Sequence, residues 1–153
     1  MMVRARLPVV VALLVMAGSL MVGGGSASAA SSIWCNKNGA APTVGASNGV
    51  VTAYYSHVCN SIAGVTEMIE GNTIERRDVG SSDWRTWENA TRDHVQTRVD
   101  FSVSKAVGGE HGYFRPVMFL AITGNFSYGS VPGCHRYSGT TVHCQWFGAQ
   151  KYF

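Results

Sequence analysis

The sequence has no aspartate or glutamate before Glu67 and none after Glu110. All nine carboxylates share that window with six Lys/Arg, which leaves the middle segment at −3. After residue 29 only Lys37 precedes the window, and only Arg115, Arg136 and Lys151 follow it. The flanks must therefore be largely buried, or polar through Ser, Thr, Asn and Gly. An uncharged exposed face is one way to build a partner-binding surface, because charge is depleted at interface centres. The plainer alternative is a thin β-protein whose charges gather on one sheet.

Other absences narrow the chemistry. No HExxH, Walker loop or CxxC occurs anywhere in the chain, which removes the motif-based routes to a zincin, a P-loop enzyme or a thioredoxin-like redox site. Spacing singles out no carboxylate pair for glycosidase work. Beyond the N-terminal region the longest apolar run is "PVMFLAI", residues 116–122, which is the length of a strand rather than of a membrane span.

What is present begins with a leader. "MMVRAR" is a basic n-region, "LPVVVALLVMAGSLMV" an apolar h-region, and "SASAA" offers small residues at a cleavage site. We read residues 1–29 as a secretory signal peptide, with cleavage after Ala29 or, next best, Ala30, and residues 30–153 as a single secreted β domain. The apolar stretch is broken by Gly18 and Ser19, short of the roughly 20 residues of a spanning helix, and no cysteine near the cut suggests a lipid anchor. The leader's Ala/Val/Gly-rich style resembles that of Gram-positive bacterial exports. Without Arg4 and Arg6 the chain carries ten basic against nine acidic residues, a net +1. That is a poor electrostatic basis for binding nucleic acid. The expected location is extracellular, with no membrane contact after cleavage.

Period two dominates the rest. In "HVQTRVDFSVSKAV" one face holds Val95, Thr97, Val99, Phe101 and Val103, and the other is polar. "GGEHG" then reads as a turn and "YFRPVMFLAI" as a returning strand, making a long hairpin in which Pro116 marks an edge or bulge. "GVVTAYYSHVC" and "TTVHCQWF" read as further strands. Gly71-Asn72 suggests a two-residue hairpin turn that sets Ile69 opposite Ile74 and Glu67 opposite Arg76. One short helix is predicted within "SSDWRTWENATR", residues 81–92. The expected fold is all-β, an antiparallel sandwich or partly open barrel of about 6–8 strands.

Four cysteines in an exported chain of this size imply two disulfides. Three connectivities are possible, and local bridges Cys35 with Cys59 and Cys134 with Cys144 fit the strand ends best. The stretch "GCHRYSGTTVHCQW" runs Cys134-His135 inwards and His143-Cys144 outwards. If the cysteines face each other across a hairpin, His135 lies opposite His143 on the other side of the ribbon, so two sulfurs and two imidazoles cannot meet on one tetrahedral zinc. A two-residue turn at Ser138-Gly139 would instead pair Cys134 with His143. No cofactor or metal is expected.

Functional candidates are few. Glu110 and His111 sit in the Gly-rich turn with Arg115 nearby, the least poor set for acid-base hydrolysis, although adjacent side chains diverge in extended backbone. Trp84 and Trp87 would share one face if their segment were helical, where they could anchor a protein or stack on a sugar, or simply pack. Tyr152 and Phe153 either cover a sheet edge or await a partner. Asn89 and Asn125 begin sequons, relevant only in a host that glycosylates exports. With "YYSHVCNSIAG" and its cysteine framework the chain resembles, in general style, the small two-disulfide β-proteins that actinomycetes secrete, some of them enzyme inhibitors or toxin subunits. The resemblance implies no particular site residue. The leading expectation is a non-catalytic module that binds another secreted or cell-surface protein as an inhibitor or as a subunit of an exported assembly. The alternatives are a small hydrolase built on Glu110 and His111, and a sugar binder built on Trp84 and Trp87.

Overall fold

Alternating inward apolar and outward polar residues drive most of the described residues into strands that bury one side. The structure, a computed structural model, describes residues 32–38 and 41–153, and the predicted signal peptide lies outside the described residues. Twelve strands follow in order: β1 (Ser32–Ile33), β2 (Cys35–Lys37), β3 (Thr43–Ser47), β4 (Val50–Cys59), β5 (Val65–Arg77), β6 (Arg85–Asp93), β7 (Arg98–Ala106), β8 (Tyr113–Gly124), β9 (Ser127–Tyr128), β10 (Cys134–Arg136), β11 (Thr141–Phe147) and β12 (Lys151–Tyr152). Seven of them run five residues or more, and every regular element among the described residues is a strand.

They form two antiparallel sheets with a packed interior between them. The larger has the order β10-β11-β8-β5-β6, with β12 also on β8; the smaller joins β2 and β3 along one edge of β4 and β7 along the other. A short parallel pair, β1 with β9, lies outside both. Two breaks are alike: β2 and β3 share the same edge of β4, and β11 and β12 share the same edge of β8. Pro116 accepts a hydrogen bond from Gly148 N at 3.0 Å. The side of Pro116 that lacks a donor thus faces the interruption between β11 and β12, where no ladder bond is lost.

Three sequence expectations are corrected. Gly71-Asn72 is no turn: β5 continues through it, and Ile69 lies opposite Asp93 on one side and Ala121 on the other. Gly71 is instead covered by Phe119, whose Cβ would lie 3.6 Å from a Cβ built on the glycine, and Asn72 is held inside by partners described below. The hairpin turn of this type is at Asn48-Gly49, both at positive φ (51° and 72°), joining β3 to β4; Asn then Gly is the order that such a turn favours. Second, β7 does not return on β8. It pairs with β4 from Val50↔Ala106 to Val58↔Arg98, so the Gly-rich turn carries the chain from one sheet to the other. Third, the predicted helix is strand β6. A bulge opposite Ile74/Glu75 inserts Trp87 as an extra residue, and the bulge brings Trp87 and Glu88 to the same lysine, Lys105.

The disulfides are Cys35–Cys59 and Cys134–Cys144, each between directly opposed residues. His135 does lie opposite His143, because the turn is wider than two residues, with Tyr137 N and Ser138 N both donating to Thr141 O.

The core has two apolar parts. One gathers Ile33, Tyr55, Met68, Leu120, Ile122 and Trp146 around both disulfides, and the other Val44, Val51, Ala53, Ile74, Val103 and Phe114. Along the inward side of β5, Met68 belongs to the first and Ile74 to the second. Between them the inward positions are Glu70 and Asn72, both fully buried.

Candidate functional site

The polar band that divides the core is built from both sheets. His57 on β4 brings Nδ1 within 2.7 Å of Glu70 Oε1, with both side chains excluded from solvent. His94, just after β6, places Nε2 3.4 Å from the same oxygen, and Arg92 caps the far oxygen at 3.8 Å. Asn72 Nδ2 crosses the interior to donate to Ala53 O (3.0 Å) and Phe101 O (3.1 Å) in the small sheet. The Tyr55 phenol is held well above its ordinary pKa, first by burial and then by the nearby Glu70 carboxylate. Arg92 lies 4.4 Å over the Phe101 ring, so its guanidinium seals the band towards solvent. Both nitrogens of His57 and of His94 are buried, and no substrate reaches them in this form. Among the described residues no three His, Cys, Asp or Glu are set to hold a metal ion. The band ties one sheet to the other and fixes their relative register.

The outer face of the large sheet is of another kind. Near β10 the Tyr137 ring stacks on His143 (centroids 4.3 Å, interplanar 15°), His143 meets Phe119 edge-on at 5.2 Å, and His135 stands 6.0 Å away. Partial burial, then the neighbouring His135, holds the His143 pKa below the ordinary imidazole value. Further along the same face Arg115 lies 4.9 Å over Phe147 and 4.3 Å over Trp84, and donates to Glu75 Oε2 at 2.6 Å. Arg77 is placed between Trp84 (5.1 Å) and Tyr113 (4.9 Å), and Tyr113 meets Tyr152 at 5.4 Å. Aromatic rings and guanidinium planes thus alternate across the face. Tyr137, Phe147 and Tyr152 are 70%, 48% and 56% exposed, and no described element packs over them.

The residues singled out in the sequence fall into separate places. Trp84 joins the outer ribbon, whereas Trp87 turns inwards, meets Phe114 edge-on at 5.0 Å and donates Nε1 to Glu110 Oε2 at 3.2 Å. The two indoles therefore do not share a sugar platform. Glu110 is also paired with Arg76 at 3.0 Å, and the His111 carbonyl accepts from Arg76 Nη2 at 2.9 Å. Arg115 is engaged with Glu75 on the outer face, so Glu110, His111 and Arg115 do not converge on one point. At the C-terminus Phe153 packs on Phe114 and exchanges backbone hydrogen bonds with Gly112, while Tyr152 stays at the surface. Asn89 and Asn125 are both exposed.

Sequence reading missed the buried band, yet a signal was present. Val51, Ala53, Tyr55 and Cys59 share the inward parity of β4, and His57 has that parity too. On β5 the same parity is hidden because Gly71-Asn72 reads as a turn, which divides the strand between Glu70 and Asn72. No protein-family model, no curated protein and no solved structure matches this chain, and its functional reading rests on its own geometry.

Proposed function

We propose that the protein is a non-catalytic binding module that docks another secreted or cell-surface protein on the outer face of its six-stranded sheet, as an enzyme inhibitor or as a subunit of an exported assembly. The observation that carries this reading is the outward-facing ribbon in which Tyr137, Phe147 and Tyr152 are exposed and His143, Phe119, Arg115, Trp84, Arg77 and Tyr113 half-buried. Aromatic residues and arginine are the types enriched at interface hot spots. Here each guanidinium is already oriented by a flanking ring, which reduces the conformational entropy lost when a partner is bound. The two disulfides are consistent with an extracellular setting.

The test is capture of partners by the oxidised protein from culture supernatants and neighbouring-cell lysates, read by mass spectrometry, beside the variants Trp84→Ser and Phe147→Ser. A stoichiometric partner lost with both variants supports the reading. Recovery of that partner by the variants at the wild-type level moves the docking surface elsewhere, and no partner from any source removes the reading.

A further inference from the structure

The outer ribbon does not end at Phe147. That ring also lines a cleft of about 530 Å³ at the edge where β2 of the small sheet faces β11 of the large one, together with Asn36, Lys37, Gly133, Gln145 and Trp146. The volume falls in the range of pockets that enclose a small ligand or one inserted side chain. Its wall is firmly built. Trp146 Nε1 donates to Pro132 O at 2.9 Å and Gln145 N to Gly133 O at 2.8 Å. Gly133 stands at φ +87°, where an added Cβ would come within 2.7 Å of Trp146 Nε1. Glycine is therefore required for the chain to pass this close to the indole.

The charge in the cleft is one-sided. Lys37 is its cation, no carboxylate lines it, and among the described residues Lys37 forms no ion pair. The side-chain carboxylates all lie between Glu67 and Glu110; of these Glu75 is paired with Arg115 and Glu110 with Arg76. Two amide residues, Asn36 and Gln145, and the aromatic residues Trp146 and Phe147 line the same cleft.

Resting on the docking reading above, we infer that this cleft receives an acidic side chain, Asp or Glu with an apolar neighbour, from an extended segment of the docked protein partner. The carboxylate meets Lys37 and the amides, and the apolar neighbour lies on Phe147, which joins cleft and ribbon into one surface. A cation at the margin of an aromatic patch sets the register of docking and selects against basic partners.

The probe is a random 12-residue peptide display library selected on the oxidised protein, with binding of the enriched peptides then measured by titration. Enriched peptides carry Asp or Glu next to an aromatic or aliphatic residue. Lys37→Glu weakens them at least about tenfold, Lys37→Gln has a smaller effect in the same direction, and replacing the peptide's acidic residue by Lys restores binding to the Lys37→Glu protein. Circular dichroism of both variants separates loss of binding from loss of fold. Peptides without an acidic residue, or binding indifferent to both substitutions, overturn the inference. A natural partner that is lost with Trp84→Ser but kept with Lys37→Glu overturns the cleft alone and leaves the docking reading in place. The absence of any natural partner counts against the docking reading, and the peptides still decide the cleft.

Discussion

Glu70 is the residue on which the interior depends most. A carboxylate with no solvent access is tolerable only because His57, His94 and Arg92 surround it, and removing one partner of such a group leaves the other buried without compensation. His57→Leu should therefore lower stability by about 3–5 kcal/mol. The double variant His57→Leu, Glu70→Leu should lose clearly less than the sum of the two single variants, since an apolar pair of similar volume is often tolerated. Urea midpoints for the four proteins check this, and additive losses would show that the pair is not coupled. Asn72→Ala removes the two amide bonds that reach the Ala53 and Phe101 carbonyls of the small sheet and should lower the urea midpoint by the equivalent of about 0.5–1.5 kcal/mol for each bond. His143 gives a pH prediction. Its pKa in the folded protein is lowered, first by burial and then by His135, from an unfolded value of about 6.5. The neutral ring is the form that folding favours, so this contribution is complete above the unfolded value and is lost as pH falls through it towards the folded one. Proton NMR should show His143 titrating below a free histidine and moving upwards in His135→Gln, and a midpoint unmoved by that change would remove His135 as a cause.

At the scale of elements, β10 is the one most in need of its crosslink. It has three residues and pairs only with β11, and an edge strand this short has little of its own to hold register. Replacing Cys134 and Cys144 by Ser should cost about 3 kcal/mol and should broaden or shift the amide resonances of residues 134–144 more than any others. Resonances that stay in place would mean that the ladder alone fixes the hairpin. This hairpin was also the most legible part of the sequence, because two cysteines and two histidines in mirror order leave few registers. Strands β4, β7, β8 and β11 were readable for a similar reason: each buries one side, and burial leaves a period. What failed was pairing. The partner of β7 depends on which sheet its turn leads to, and nothing local in "GGEHG" records that. The segment around β6 reads as a short helix, on which Trp84 and Trp87, three apart, would share one face. Strand alternation instead sends residues three apart to opposite faces, one indole outwards and the other inwards, and the bulge adds Glu88 to the side of Trp87. The buried band went unread because strands of the two sheets must pack before His57 and Glu70 can meet, and of the ribbon the sequence singled out Trp84 only as the partner of Trp87 and Arg115 only beside Glu110 and His111.

Across the whole molecule the polar band separates two apolar halves that are not equally secured. Both disulfides belong to the half around Leu120 and Trp146, and the half around Val51, Ile74 and Phe114 has none. Openings that spare the crosslinked half cost less, since a bridge restricts how far its strands can separate. Hydrogen exchange should therefore rank the amides of β3, of the first residues of β4 and of the last residues of β7 below those of Tyr55–Cys59 and Met118–Ile122. The middle of β5 and β8, paired on both edges, should exchange slowest. The outer aromatic ribbon, the proposed docking face, spans this divide: Tyr137, His143 and Phe119 lie over the crosslinked half, and Trp84, Arg77, Tyr113 and Tyr152 over the other. A partner bound along its full length would couple the two, because binding to the intact face alone adds its free energy to every opening that breaks the face. Protection should then rise most in the half without disulfides, in Arg85–Asp93 and Tyr113–Arg115. A partner that raised protection only near His143 and Phe119 would be docked on one end, and the ribbon would be two surfaces rather than one.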